Sequence, residues 1–274
     1  MYTWRKRAGA LWLRSRSEEL THRFGNSLAI TQRPGRERAL LEISCRTRDQ
    51  AHELIREFGG SAQKLSRRWL QNFLEQGQGK PMRIASRLVI LSAPASRSDA
   101  TRAIVIPAEA AFGTGHHATT AMSLRLLERI TRRFAPGWTM LDAGTGSGIL
   151  AIAGRCFGAK GVVAIDNDSL ACATARRNAR ANRVRKIEFV IGDVLKTKLR
   201  GEFDVIAANL FNELLIAALP IWSRHLAPDG ILILSGILRS QEPSVVRALK
   251  RNGFVTPEIR RRGKWIALRA QRRK

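Results

Sequence analysis

The chain has 274 residues, 44% apolar and 26% charged, which is enough for one large or two modest domains and too ordinary for a disordered, collagen-like or disulfide-stapled protein. Charge balance is the outlier: 48 Lys and Arg against 22 Asp and Glu leave a formal net charge of +26, which favours a polyanion or anionic surface nearby and says nothing about chemistry. Three cysteines, Cys45, Cys156 and Cys172, with no Cys-x-x-Cys pair, speak against a disulfide framework or a thiolate zinc site and make a reducing cytoplasm the default expectation.

The chain opens with Arg5-Lys6-Arg7 and the apolar run Ala8–Leu13, which stops at Arg14, short of the ~7–15 residues of a secretory h-region. It reads as a basic amino-terminal strand or arm. Ser27–Thr31 and Ala39–Ser44 read as short strands around a Gly35 turn, and Asp49–Phe58 as a helix ended by Gly59-Gly60. Residues 1–60 are therefore expected to form a small α+β domain. Residues 61–103 are expected to be a connector, with an amphipathic stretch around Trp69, Leu70, Phe73 and Leu74, a strand Arg87–Leu91 and a Pro94/Ser96/Ser98 loop.

From Ile104 the pattern changes. Strand-like runs at Met140–Ala143, Gly161–Asp166, Ile187–Ile191, Phe203–Ala208 and Ile231–Ser235 alternate with helices beginning near Ser147, Asp168, Asn212 and Ser240. Such alternation implies crossover connections and a mainly parallel sheet, doubly wound, over residues 104–274. Phe254–Glu258 and Lys264–Leu268 lie at hairpin spacing and add an antiparallel edge pair. No run reaches the ~18–20 apolar residues of a membrane span, so a soluble, cytoplasmic protein is expected. Positive charge is spread along the chain. Residues 247–274 nevertheless hold 11 basic residues against Glu258 alone, a run that is either a solvated face or a nucleic-acid contact.

Leu141-Asp142-Ala143-Gly144-Thr145-Gly146-Ser147-Gly148 ends an apolar strand in three alternating glycines and then starts a helix. Glycine there removes the Cβ that would collide with a ligand lying across the strand ends. The next strand ends at Asp166, where a carboxylate can accept both ribose hydroxyl protons of a nucleoside. A nicotinamide site would want Gly-x-Gly-x-x-Gly, but Ile149 holds that place, and no Gly-Lys-Ser/Thr makes a P-loop. The spacing suits S-adenosylmethionine, with Gly144 and Gly146 at the cofactor and Asp142 taking its amine. Asp193 is either a bond to the adenine amino group or a turn or helix cap.

A second segment, Pro107-Ala108-Glu109-Ala110-Ala111-Phe112-Gly113-Thr114-Gly115-His116-His117-Ala118-Thr119-Thr120, leads into a helix Ala121–Ile130. It resembles the Ala-Phe-Gly-Thr-Gly-Thr-His-Pro-Thr-Thr signature of the PrmA family, bacterial enzymes that methylate ribosomal protein L11. Arg87-Leu88-Val89-Ile90, Asp204–Asn209, Ser235-Gly236-Ile237-Leu238 with Gln241, and Lys264–Leu268 agree, so the resemblance covers about residues 65–270 and is weak before residue 60. It implies a seven-stranded methyltransferase sheet and cofactor contacts at Thr120, Gly144, Asp166 and Asn209. Phe112, in the signature segment, is also expected at the cofactor. His116 and Ala118 depart from the family's Thr and Pro, and Leu210 from its Ile. His117 takes the family's His and is expected in a substrate or loop-closing role rather than at a metal. Thr119 and Thr120 can also be helix caps.

The resemblance implies methyl transfer to lysine or amino-terminal amines of a large-subunit ribosomal protein. The chain is expected to act as a monomer, and its amino- and carboxy-terminal Arg/Lys clusters are expected to hold it to ribosomal RNA. Asn209 is expected to align amine or cofactor rather than to act as a base. A rival reading is a nucleic-acid base-amine methyltransferase, with Asn209-Leu210-Phe211-Asn212 in place of an Asn-Pro-Pro-Tyr/Phe motif. Phe211 would then stack a base, against the alternative of packing on the following helix. A third is a noncatalytic ribosome- or RNA-binding protein on the same fold.

Overall fold

The computed structural model describes residues 2–24, 28–31, 38–45, 47–64, 81–92, 102–107 and 117–273. The Gly35 turn, the Trp69–Leu74 stretch, the Pro94–Ser98 loop, Phe112 and His116 lie outside them. The chain divides into two compact units, Met1–Gly77 and Gln78–Lys274.

In the first unit, β1 (Tyr2–Gly9), α1 (Ala10–Phe24), β2 (Leu28–Thr31), β3 (Arg38–Cys45), α2 (Arg48–Phe58) and β4 (Ser61–Lys64) follow one another. The strands form an antiparallel sheet in the order β2-β3-β1-β4, the split βαβ arrangement. Its core is Trp4, Leu20, Leu41, Ile43, Leu54 and Phe58. The Trp4 indole, edge-on to Phe58, donates to the Gly59 carbonyl at 2.8 Å and so ties β1 to the end of α2. Thr47 caps α2 by accepting from the Gln50 N–H.

Two features differ from the sequence reading. The basic arm is only β1, and the residues after it form the 15-residue α1. Its apolar stripe (Leu13, Leu20 and Phe24, with Trp12) is thin and diluted by Arg, Ser and Glu, so periodicity hides it. The connector 61–103 also carries paired structure. Polar β4 has no apolar alternation to announce it, yet it pairs with β1, Tyr2 opposite Lys64.

In the second unit, β5 (Met82–Ile84), β6 (Leu88–Leu91) and β7 (Ala103–Val105) make a three-stranded sheet. Its buried Ile84, Leu88, Ile90 and Ile104 enter the core beneath α3 (Ala118–Thr131) and α4 (Ile149–Cys156). Arg87 fastens this sheet down. Its guanidinium donates to the carbonyls of Glu128 (3.2 Å) and Phe157 (3.0 Å) and to Thr131 Oγ1 (3.1 Å), and lies over the Phe157 ring. One cation thus satisfies carbonyls at two helix C-termini. Asn182 completes the edge of β7, accepting from the Val105 N–H and donating to its carbonyl as a neighbouring strand would.

The main sheet holds β8 (Thr139–Ala143), β9 (Gly161–Asp166), β10 (Ile187–Ile191), β11 (Phe203–Asn209), β12 (Leu226–Leu238), β13 (Phe254–Arg262) and β14 (Trp265–Arg272). Their order is β10-β9-β8-β11-β12-β14-β13, parallel up to β12 and antiparallel beyond it. This is the expected seven-stranded sheet with an antiparallel edge hairpin. Between strands run α5 (Ser169–Ala181), α6 (Asn212–His225) and α7 (Glu242–Arg251). Alternate residues point to opposite faces. Val205, Ala207, Ile231 and Ile233 join the core of α3 and α4, while Ile206, Ala208, Leu232 and Leu234 join that of α6 and α7. Burial on both faces makes the inner strands β9, β11 and β12 read as continuous apolar runs, whereas edge strand β10 carries the exposed Glu188. Among the described residues no helix is long and apolar enough to cross a membrane, which says nothing of β-barrels.

Candidate functional site

Strand order reverses at β8, whose neighbours are β9 on one side and β11 on the other. In open α/β sheets that reversal, at the carboxyl ends of the strands, is where ligands bind. Four strands stop there with polar or turn residues: β8 before Gly144, β9 at Asp166, β10 before Gly192-Asp193, and β11 at Asn209.

The glycine turn is held from beneath. Gly144 and Thr145 donate to the Ile165 carbonyl at 2.8 and 2.9 Å, and Gly146 N–H donates to Asp166 Oδ2 at 2.9 Å. Asp166 Oδ1 accepts from the Asp168 N–H at 3.0 Å. The partly exposed Asp166 carboxylate is thus fixed by two backbone donors, with lone pairs left over.

Asp142 lies inside the turn, fully buried. Its Oδ2 accepts from Thr145 Oγ1 (2.7 Å) and from the Ala151 N–H (3.1 Å), bracketing the turn to the first residues of α4. Its Oδ1 is buried without a hydrogen-bond partner. Burial pushes the carboxyl up to about 7 despite those two bonds, and the nearby Asp166 charge adds to the rise. A buried anion that lacks a partner on one oxygen suits a cationic group.

The segment after β11 closes the other side. Leu210 N–H donates to the Ser235 carbonyl at 3.1 Å, and the leucine side chain lies over Gly144. Gly144 has φ +76°, and a Cβ there would come within 2.3 Å of Leu210 Cδ2; Gly236 has φ +86°, and a Cβ there would come within 2.3 Å of the Leu210 carbonyl oxygen. At Gly236 the contact is with backbone and only glycine fits, whereas at Gly144 the leucine tip can shift and the left-handed φ is what favours glycine. Sequence reading missed this coupling, although Ser235-Gly236 after a strand was its visible signal. Asn209, just before Leu210, donates from Nδ2 to Thr120 Oγ1 at 3.4 Å, which turns its carbonyl oxygen the other way.

Thr120 is buried in the first turn of α3 and does not cap it. His117 is the cap: its Nδ1 accepts from the Thr119 N–H and lies 2.7 Å from Thr119 Oγ1. Its ring stands edge-on to Trp265, and burial, then Lys264, holds its pKa below the ordinary value, which favours the neutral imidazole.

Asp193 makes local turn bonds. Its Oδ1 accepts from the Leu195 N–H at 2.8 Å, and its carbonyl accepts from Thr197 Oγ1 at 2.7 Å. Packing of Phe211 on α6 is overturned, because that ring is 79% exposed at the helix cap. Leu170, at the start of α5, and Ile191, ending β10, are also exposed at the same strand ends. The structure therefore brings together Thr120, Asp142, Gly144, Gly146, Asp166 and Asn209, with Asp193 beside them on the next strand end.

Comparison with known proteins agrees with this arrangement. The family model described as ribosomal protein L11 methyltransferase (PrmA) matches residues 43–273. The ribosomal protein L11 methyltransferase of Pelotomaculum thermopropionicum is 41% identical over 195 residues, 70% of this chain and 62% of its own. That of Syntrophotalea carbinolica is 40% identical over 209 residues, 76% of this chain and 66% of its own. The matched part of the chain thus spans less than two thirds of these relatives' length. Among solved structures, a ribosomal protein L11 methylase from Lactobacillus delbrueckii subsp. bulgaricus superposes with a TM-score of 0.64 at 32% identity, covering 71% of this chain and 99% of that one. The strand order, the glycine turn with its acidic strand ends and the matched residues lead to one statement: the chain belongs to the ribosomal protein L11 methyltransferase (PrmA) family.

Proposed function

We propose that the strand ends around Gly144 bind S-adenosyl-L-methionine and that the chain methylates lysine or amino-terminal amines of ribosomal protein L11. The observation that carries this reading is Asp142, whose buried, unpartnered Oδ1 fits the ammonium of the cofactor's methionine end. In the same reading Asp166 accepts from the ribose hydroxyls, Gly144 and Gly146 present backbone to the cofactor, and Leu170 and Ile191 supply apolar surface for adenine. Asp193 reaches the adenine amino group with the oxygen not engaged by Leu195.

When bound, the cofactor would supply an electrophilic methyl group for transfer to an amine nitrogen, with a neutral thioether as the leaving group. The chain's own task is to present that amine uncharged. A lysine with a pKa of ~10.4 needs roughly 4.6 kcal/mol to lose its proton at pH 7, against about 1 kcal/mol for an α-amine. Desolvation beside a cation lowers that cost, and positioning lowers the barrier further. Asn209, oriented by its bond to Thr120, offers its carbonyl oxygen to an amine N–H and holds the lone pair toward the methyl group. It is a hydrogen-bonding and aligning residue, not a base.

In this reading the first unit, with β4 added to the expected 1–60 domain, recognises the substrate. The enzyme works as a monomer and is held to ribosomal RNA by basic residues. A second reading, methylation of an RNA base amine, is favoured by exposed Phe211 beside Asn209. One experiment separates them. Labelled cofactor is incubated with the chain and either purified L11 or protein-free ribosomal RNA, and label in L11 alone supports the first reading. Asn209→Ala should lower turnover about 100-fold with the fold intact. Equal turnover in that variant removes Asn209 from the site, and label in RNA alone replaces the protein substrate.

A further inference from the structure

We infer that an arginine-lined cavity on the α3 side of the main sheet is a binding site for the phosphates of an RNA backbone. The cavity, about 640 Å³, lies between the carboxyl half of α3, the start of β12 and the end of β14. It does not involve the glycine turn. Arg129, Arg133, Arg269, Arg272 and Arg273 line it, and Asp229 is the lone carboxylate among its lining residues.

Protein acceptors do not saturate these guanidinium groups. Arg129 pairs with Glu258, which also accepts from Arg260 Nε at 2.8 Å. Arg272 donates from Nη2 to the Ser223 and Leu226 carbonyls, and Arg269 from Nη2 to Gln271 Oε1 at 2.7 Å. The Nε–H groups of Arg269 and Arg272 remain buried without any partner. Arg133 and Arg273, exposed at the rim, have no ion pair among the described residues. The crowding is felt electrostatically. Burial, then Arg260, Arg269 and Arg133, hold the Arg129 pKa below its ordinary value.

An array of cations that lacks matching carboxylates and leaves buried donors unused is complementary to an anion with several acceptor oxygens. The cavity has the volume of a nucleotide-sized ligand rather than of one phosphate group. A phosphodiester chain supplies successive phosphates, and the net charge of +26 spread along the protein extends the attraction beyond the cavity. The assignment deepens the RNA-contact part of the proposed function and does not depend on methyl transfer.

The test uses the full chain and a fluorescein-labelled RNA hairpin, with binding followed by anisotropy over a range of KCl. Arg133→Gln with Arg273→Gln removes two rim cations. Arg247→Gln with Lys250→Gln, exposed on α7 across the sheet, removes two others as a control. Each phosphate contact contributes about one unit to the slope of log K against log salt, so the cavity pair should flatten it by about 2 and weaken binding about tenfold or more. The control pair should change binding by less than about threefold. Calorimetric binding of S-adenosylmethionine and thermal unfolding, unchanged in both pairs, show that neither the fold nor the cofactor site has failed. Equal effects of the two pairs, or no effect of the cavity pair, would overturn the assignment. Pyrophosphate binding that is lost in the cavity pair while RNA binding is kept would identify a free-phosphate site instead. Displacement of the RNA by poly-glutamate as readily as by pyrophosphate would identify an acidic-peptide site.

Discussion

Replacing Asp142 by an asparagine probes fold and site at once. Burial raises this carboxyl from 3.8 to about 7, so the folded protein prefers it protonated. A carboxyl raised in this way contributes stability that is complete below the unfolded value near 3.9 and is lost as pH climbs through about 7. Between pH 5.5 and 8.5 the loss for a shift of this size is about 2 kcal/mol. In a unit of about 200 residues, that corresponds to a fall in Tm of about 4–8 °C. The carboxamide introduced by Asp142→Asn would keep an acceptor for Thr145 Oγ1 and the Ala151 N–H and would not ionise. The Tm of Asp142→Asn, relative to the natural chain, should therefore rise by about 4–8 °C between the two pH values, whatever the offset caused by its new amide donor.

The same change should cost the cofactor its counter-charge. At pH 8.5, Asp142→Asn should bind S-adenosylmethionine at least about tenfold more weakly, the worth of one charged hydrogen bond. In the natural chain, binding should weaken by up to about tenfold per pH unit below about 7, because the bound ammonium must displace a proton. Scanning calorimetry and titration calorimetry at the two pH values measure both quantities. A Tm difference that does not change with pH would refute the buried-charge argument, and undiminished affinity in the variant would remove Asp142 from the ammonium site.

Three further outcomes are expected. Gly236→Ala would force a Cβ against the Leu210 carbonyl at a φ of +86°, so it should cost about 2–4 kcal/mol in urea unfolding and move Asn209 enough to lower turnover; a variant as stable as the natural chain would show that the Leu210 segment is not clamped. Arg87→Leu strips a cation from two helix ends and should destabilise the second unit by about 3 kcal/mol, with little recovery in Arg87→Lys, which lacks the fork; urea midpoints of the three proteins decide it. Asp193→Ala should lower stability by about 1 kcal/mol through the lost bond to Leu195 N–H. It should also erase any preference for S-adenosylmethionine over its deaminated analogue, and retained discrimination would confine Asp193 to its turn.

Much of the architecture is written in local pattern. Continuous apolar runs mark β9, β11 and β12 because both faces of the inner parallel sheet are buried, and the paired runs near residues 254–268 announce the β13–β14 hairpin. Gly144-Thr145-Gly146-Ser147-Gly148 and Asp166 mark the strand ends because glycine spacing and a terminal carboxylate are sequence-local features. Where the pattern is faint, so was the reading. The stripe of α1 is broken by charge, and polar β4 is a strand only because β1 offers it an edge.

What the amino-acid order determined unaided was the sheet, its edge hairpin and the residues at its carboxyl end, since periodicity and glycine placement act within a few positions. Only the tertiary structure decided how those residues are occupied. Asp142 turns one oxygen into the glycine turn and leaves the other unpartnered, Leu210 settles between Gly144 and Gly236, and Phe211 stands in solvent. The arginines around the cavity were visible only as a scattered excess of charge, since Arg129 and Arg273 lie far apart in the chain. Their meeting depends on β14 inserting antiparallel beside β12 and beneath α3, a long-range pairing that no local pattern specifies.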